Sequence, residues 1–506
     1  MKRLTIVAVV FIAFGLGLAG TIPPEGGIAP IHIVVVPPGE GGVGAPGVPP
    51  AGIDADLDGF VASLDCNDDA ADVNPMAVEK ANGVDDNCNG VVDEGLDTTF
   101  DWPHVDLAAA IWPQPGTTSV GQHLSIGSQP RLVWTGEAFM AAWVDLRNRL
   151  RVAHIGLDGV LADAPATLRS SVSNLDVAWT GSRLGIVCED VSIPGAPSVR
   201  LMTVDREGIV QGDVIIAAVG REPKIAWGQN EFGIIWTALV RNDSLRFQRF
   251  GPAGEALSAE EVLPHSGGSG AITFDGTIVT RVAADTYSVH EGMFGVAYEF
   301  RCGHEPAGEA LPYASQSCQR PAGDVFLSAF PRAADQGAPI GPVRVSQQNY
   351  PQSPLGAMPA IAANQSGFLV AWHATVNGTD AARSRYFTHD TLAPSQELTP
   401  DADAARYGRL TWTGAEFVML NDNRTSPAAE AYDIHLRRFD ADGNTHATSP
   451  KGAWTELNLR DSVRGSASVH PDAAIANGKL AVVWVERDEV LGGTGGTLWF
   501  AVVSHQ

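Results

Sequence analysis

Pro130-Arg131-Leu132-Val133-Trp134-Thr135-Gly136-Glu137-Ala138-Phe139-Met140-Ala141-Ala142-Trp143 is the stretch on which the fold turns. It reads as one strand, a tight Thr-Gly turn and a second strand. Related segments are Ala178-Trp179-Thr180-Gly181, Ala226-Trp227-Gly228, Ile361 to Trp372, Thr411-Trp412-Thr413-Gly414, and Pro471 through Leu480 to Trp484. A disturbed copy ends in Phe294-Gly295-Val296-Ala297-Tyr298, giving seven units. One packed position of the second strand is held in turn by Trp143, Cys188, Trp236, Tyr298, Trp372, Asn421 and Trp484.

Third apolar stretches follow at Leu150 to Ile155, Val199 to Val204, Leu245 to Phe250, Val325 to Phe330, Ile434 to Phe439 and Leu498 to Val503. A fourth short strand, such as Asp213 to Val219, usually precedes the next unit. Four short strands repeated seven times predict a mainly β fold, a seven-bladed β-propeller. The last unit stops at its third strand. Thr117 to Ile126 is expected to supply the missing one and so remove an open edge. Two stacked β domains are the competing reading. In the fourth unit, Asp275 to Gly292 reads as an insertion between first and second strands. Arg301 to Gly323 reads as one between second and third, tied by a Cys302–Cys318 bridge. Cys188, at a packed strand position, is expected to be a small buried hydrophobe.

The whole chain fits this reading. Its 506 residues include 55 Gly and 33 Pro, and only 18% are charged, a balance suited to a turn-rich β protein. The net charge of −25, with no basic run, argues against a nucleic-acid partner. Residues 1–19 read as a signal peptide: Lys2 and Arg3, an apolar run from Leu4 to Leu18, and a small-residue end at Gly17-Leu18-Ala19. Thr21 stands where a lipobox would need Cys, so export without a lipid anchor is expected, to the exterior or the cell surface. A retained membrane anchor is the alternative. No transmembrane segment is expected after signal removal. Residues 20–53 read as a Pro/Gly-rich linker, residues 54–97 as a metal-binding module and residues 98–506 as the propeller.

The module carries the chemistry. Between Asp54 and Asp97 lie thirteen carboxylates and one lysine, Lys80. Carboxylates so dense repel one another unless a cation sits among them. Asp54, Asp56 and Asp58 alternate, Gly59 follows, and Asp65 takes the twelfth place, the register of a calcium loop. Phe60 is expected to offer its backbone carbonyl. A partial second copy holds Asp85, Asn87, Asn89, Val91 by its backbone, Asp93 and Glu94. One or two calcium ions are therefore expected as cofactor. No His lies in the stretch, and its two thiols read best as a Cys66–Cys88 disulfide worth about 3 kcal/mol of loop entropy. A solvated acidic linker is the bland alternative.

DxDxDG, then Asp65-Cys66-Asn67-Asp68, Val73-Asn74-Pro75, Glu79 and Asn82 to Glu94 resemble the MopE-type metal-binding motif of bacterial secreted proteins. The resemblance covers only Asp54 to Gly95. The family name is associated with copper, whereas these residues favour calcium. Many members carry another Cys near the place of Ala81, so the family's usual pairing is left open here.

No Gly-x-Ser-x-Gly, His-Glu-x-x-His or phosphate loop occurs. Asp145 with Arg147, Asp422 with Arg424, and Glu486 with Arg487 form a possible polar rim, or simply turn salt bridges. His154, His373 and His435 read as packing or surface groups. The expected function is an exported, non-enzymatic calcium-binding protein whose propeller binds a protein or glycan partner outside the cell. A secreted propeller hydrolase acting on glycans or peptides is the alternative, favoured if acids and arginines cluster in the central channel.

Overall fold

The computed structural model describes residues 54–61, 65–80 and 84–88, then residues 118–503 with interior stretches left out, the longest 301–324. The chain divides into two units, Met1–Val48 and Pro49–Gln506, and the described residues all lie in the second. The signal, the linker and the Cys302–Cys318 bridge fall outside the described residues. Among those described there is no helix, and hence none long and apolar enough to cross a membrane.

The strands form seven four-stranded antiparallel sheets and one separate hairpin. The inner strands, one per blade, are Arg131–Trp134, Val172–Trp179, Gly220–Gly228, Ser266–Phe274, Ala360–Asn364, Ala405–Trp412 and Ala467–Ala476. Their partners are Phe139–Val144, Leu184–Asp190, Glu231–Ala238, Met293–Phe300, Gly367–Val376, Phe417–Arg424 and Lys479–Arg487. Inner strands of consecutive blades touch, and the seventh touches the first. The sheets therefore close into a ring, a mainly β, seven-bladed propeller, and the stacked-domain reading does not hold.

Local chemistry accounts for the hairpins. Thr135 donates its N–H to the Ala138 carbonyl at 3.0 Å and its hydroxyl to the same oxygen at 2.8 Å. Gly136 takes φ +90°, a conformation a Cβ disfavours. Thr180 and Thr413 repeat the hydroxyl contact, to Arg183 and Glu416 carbonyls, each at 3.0 Å. Second strands lie between two ladder partners and under a blade on each face, so those of the first three blades are buried at every position. The position read from the sequence as packed is at most 1% exposed in all seven blades, from Trp143 to Trp484.

Glycines on these strands receive the neighbouring blade. A Cβ on Gly185, Gly233 or Gly295 would collide with the ring of Phe232, Phe294 or Phe368, respectively. Each phenylalanine sits near the start of the next blade's second strand, so three successive interfaces use the same small-to-large fit. The ring closes where expected. Thr118–Ser125 pairs antiparallel with Gly495–Val503, and the order within that sheet is Thr118–Ser125, Gly495–Val503, Lys479–Arg487, Ala467–Ala476.

Two details go beyond the sequence reading. The insertion after Asp275 contains a hairpin, Ile278–Ala283 with Thr286–His290. Blade five has its third strand at Thr379–Thr388, where polar composition hid it. Gly233→Ala should cost about 1–3 kcal/mol through overpacking, read as a lower urea midpoint. Cys188 is buried and unpaired, and burial pushes its thiol up to about 12. It should resist thiol reagents in the native protein and react at once in denaturant; native labelling would contradict this packing.

Candidate metal centre and central channel

Asp54, Asp56, Asp58, Asp65 and Asp68 converge. Each spends one carboxylate oxygen on a backbone N–H. Gly59 donates to Asp54 at 3.0 Å, Asp58 to Asp56 at 3.2 Å, and Phe60 to Asp58 at 2.8 Å. Asn67 donates to Asp65 at 2.7 Å and Ala55 to Asp68 at 3.1 Å. Although Asn74 stands near enough to Asp58 to favour its charged form, the second oxygen of all five is buried and, among the described residues, makes no close hydrogen bond. Such an atom is costly in a protein interior.

The spacing of these carboxylates suits a cation. Oxygens of Asp54, Asp56 and Asp68 lie within 4.8 Å of one another, as do those of Asp56, Asp58 and Asp65. Two oxygens bound at about 2.4 Å to one calcium can stand at most about 4.8 Å apart. Asp56 belongs to both groups. Gly59 at φ +105° and Leu57 at φ +65° make the sharp turns that aim the first three carboxylates inward. Burial, with Asp58, Asp56 and Asp68 beside it, pushes the Asp65 carboxyl up to about 7, against the Asn67 N–H that favours its charged form. Lys80 does not offset this charge, because it pairs with Asp72 at 2.7 Å and approaches Asp86 at 4.0 Å.

Asp68 was not foreseen. It lies three residues past the end of the twelve-residue template, and its signal is the Asp-Cys-Asn-Asp run in which it is the second acid. Phe60 sits in the same turn, its N–H given to Asp58. In the second loop, Asp85 is buried and its carbonyl accepts from Cys88 N–H at 3.4 Å. The Asn87 N–H goes to Glu79 at 2.7 Å. Asp86, fully buried, accepts the Lys80 N–H at 2.8 Å. Asn89, Val91, Asp93 and Glu94 lie outside the described residues.

Cys66 and Cys88 form the expected disulfide, with their Cα atoms 5.4 Å apart. Both sulfurs are thereby unavailable as thiolate ligands, and the remaining donors are oxygens. The bridge also reaches the propeller. Gln229, in the turn between inner and second strands of blade three, donates its Nε2 to the Cys88 carbonyl at 3.0 Å. Both residues are buried. The adjoining Asn230 accepts from Arg332 at 3.1 Å.

A second cluster lies in the channel. In the register of each blade, Arg131, Asp176, Lys224, Ala271, Ala360, Arg409 and Asp472 occupy one equivalent place, each paired with the residue before the packed second-strand position. Arg131 Nε donates to Asp176 at 2.6 Å, and Asp176 accepts the Ile225 N–H of the next blade at 3.1 Å. Arg409 Nε donates to Asp472 at 2.9 Å, and Asp472 accepts the Leu132 N–H across the ring seam at 2.9 Å. Arg409 also comes within 3.6 Å of Asp176. Burial raises the Asp176 carboxyl, but Arg131, Arg409 and Lys224 outweigh it and hold it below the usual range. Every oxygen of the two acids is thus engaged. Beyond this belt opens a cavity of about 320 Å³ lined by all seven inner strands, with Trp134, Trp179, Trp227, Phe274 and Trp412 in its wall.

The expected rim pair is corrected in detail. Asp145 pairs with Arg149 at 2.6 Å, and Arg147 contributes its backbone N–H at 2.9 Å. Asp422 is buried, and the side chains of Arg424, Glu486 and Arg487 are outside the described set. His154 donates to the Arg206 carbonyl at 2.7 Å, and His435 accepts from Arg437 at 3.1 Å. His373 is buried.

Residues 65–94 match a family model named Cu-binding_MopE and described as "Putative metal-binding motif". Solved structures of similar fold include the Dos1 propeller, at 10% identity over 78% of this chain and 96% of that one, TM-score 0.40. The β-propeller domain of the Trilobed protease from Pyrococcus furiosus aligns at 8% identity over 76% of this chain and 98% of that one, TM-score 0.42. A PL25 ulvan lyase aligns at 9% over 77% and 95%, TM-score 0.44. No curated protein matches the chain. A MopE-type metal-binding motif at residues 65–94 is therefore followed by a seven-bladed β-propeller.

Proposed function

We propose that the chain is an exported calcium-binding protein whose propeller is a binding domain rather than a hydrolase. The observation that carries the metal reading is the set of five buried carboxylate oxygens, one each on Asp54, Asp56, Asp58, Asp65 and Asp68, that make no hydrogen bond among the described residues. Five carboxylates in two overlapping groups of three suit a hard cation with a high, flexible coordination number. Magnesium demands a tighter octahedron, and copper or zinc would seek the thiolates and imidazoles that this cluster lacks. When bound, calcium supplies positive charge to a cluster that otherwise repels itself. The disulfide, and the apolar run from Leu4 to Leu18 read as a signal, suit an oxidising exterior.

The channel bears on the second half of the proposal. Acids and arginines do cluster there, the pattern that would favour a hydrolase. Yet Asp176 and Asp472 are each saturated by an arginine and a backbone N–H. A general acid or base needs a proton site free to face substrate. The belt fits the fixing of blades and the recognition of a ligand better than proton transfer.

Calcium titration of the mature protein by calorimetry should give a Kd of about 1 mM or tighter, with magnesium weaker. Calcium at a hundredfold over Kd should add about 2.7 kcal/mol to stability, reversed by a chelator; absence of both effects would sink the calcium assignment. Asp68→Asn should weaken calcium about tenfold or more by removing one anionic ligand. Asp72→Asn, which touches only exposed Lys80, should leave the affinity unchanged. Equal affinities for the two variants would remove Asp68 from the site.

A further inference from the structure

The belt around the channel is electrically incomplete. From blade six through blade three its residues run Arg409, Asp472, Arg131, Asp176, Lys224, with alternating sign. Blades four and five interrupt it with Ala271 and Ala360. The alternating run therefore begins and ends on a cation, and the two ends flank the two alanines. Three cations face two anions. Both acids are already engaged, Asp176 by Arg131 and the Ile225 N–H, Asp472 by Arg409 and the Leu132 N–H.

Lys224 is the group left over. It is half-buried, and among the described residues its ammonium makes no hydrogen bond or ion pair. Burial, together with Arg131 and Arg409, pulls it down to about 8, against the opposing pull of Asp176 and of Glu222 two residues back. Glu222 makes no ion pair with the belt among the described residues. Arg409 retains 30% side-chain exposure and, with Asp176, lines the 320 Å³ cavity. A cavity of that size suits a small ligand, and its aromatic wall suits an organic body rather than a bare ion.

We propose that the channel binds a small organic carboxylate of sugar-acid size, its carboxylate seated between Lys224 and Arg409 at the level of Ala271 and Ala360. The two alanines leave the place that a third acid would otherwise fill. A carboxylate there completes the alternation around the ring, and Arg409 offers it a planar guanidinium edge. The inference goes beyond the calcium reading and does not depend on the module's metal. A negative result here leaves the calcium titration standing, and the reverse also holds.

The test is calorimetric titration of the full mature protein with glucuronate, with glucose as the uncharged counterpart and sulfate as a bare anion. Saturable binding of glucuronate alone is expected. Lys224→Met should weaken it about tenfold or more with the β-sheet circular dichroism retained, because the lysine makes no hydrogen bond or ion pair among the described residues. Ala360→Glu should abolish it by placing the chain's own carboxylate in the gap, with the β-sheet circular dichroism retained. Glucose binding as well as glucuronate, sulfate binding as well as glucuronate, or no saturable heat with any of the three would each overturn the proposal. So would wild-type affinity in folded Lys224→Met. Should Ala360→Glu fail to fold, the Lys224→Met comparison alone decides.

Discussion

The ring of sheets is held shut where its last blade receives the strand that it lacks. Seven blades wrapped in sequence leave one seam, and the outermost strand at that seam comes from the other end of the chain, Thr118–Ser125 against Gly495–Val503. The closure is expensive in chain entropy because it joins segments several hundred residues apart. It covers the edge of Gly495–Val503, which would otherwise stand open to pairing, and leaves only the short outer edge that every blade carries. The seam is also locked from within. Asp472 of blade seven accepts the Leu132 N–H of blade one at 2.9 Å, so the outer ladder and the inner wall hold the same junction. Neither lock is local, and each depends on all the intervening interfaces having the right angle. The repeated fit of Phe232, Phe294 and Phe368 over glycines is one means of keeping that angle constant.

These constraints explain which parts of the fold were legible in the sequence. Second strands are enclosed on both faces and both edges, so their composition is narrow and the Trp143-to-Trp484 series stands out. Outer strands need little more than hydrogen bonds. Val210–Ala217 alternates exposed and half-buried positions, and Glu261–Val262 is only two residues long; neither leaves a strong pattern. Thr379–Thr388 escaped notice for a different reason. Its Arg383 pairs with Glu397 at 2.7 Å and its Arg385 donates to the Ser395 carbonyl at 2.8 Å, so charge replaces the apolar run expected of a third strand.

The two clusters of charge were legible to different degrees. Asp54, Asp56, Asp58 and Asp65 follow a local template, and local templates survive in a single sequence. Asp68 lies beyond the end of that template and joins the others only through the fold of the segment. The channel belt is harder still, since Arg131 and Asp176 are brought together by the packing of consecutive blades, and Asp472 and Leu132 by ring closure, rather than by sequence proximity. A trace of it does exist. Arg131, Asp176, Lys224 and Arg409 each stand three residues before a tryptophan, namely Trp134, Trp179, Trp227 and Trp412. A recurring tryptophan with a charge at fixed offset is a register mark, because equivalent residues of consecutive inner strands must face the same channel.

The metal cluster and the propeller meet through a short path of one peptide, one disulfide and one hydrogen bond. Asp65 precedes Cys66, Cys66 is bonded to Cys88, and the Cys88 carbonyl is held by Gln229 of blade three. A cation held by Asp65 therefore fixes a residue one peptide and one disulfide away from the propeller wall. Without a bound cation, five carboxylates crowd together with no Lys or Arg of the described residues among them, and their mutual repulsion acts on the same short path. The disulfide limits how far the segment can yield to that repulsion, and the Gln229 contact limits where it can go. The acidic module thus has a defined mechanical relation to blade three. A cation bound there would act on the attachment of this segment to the ring, while the ring's own closure rests on the seam and the belt.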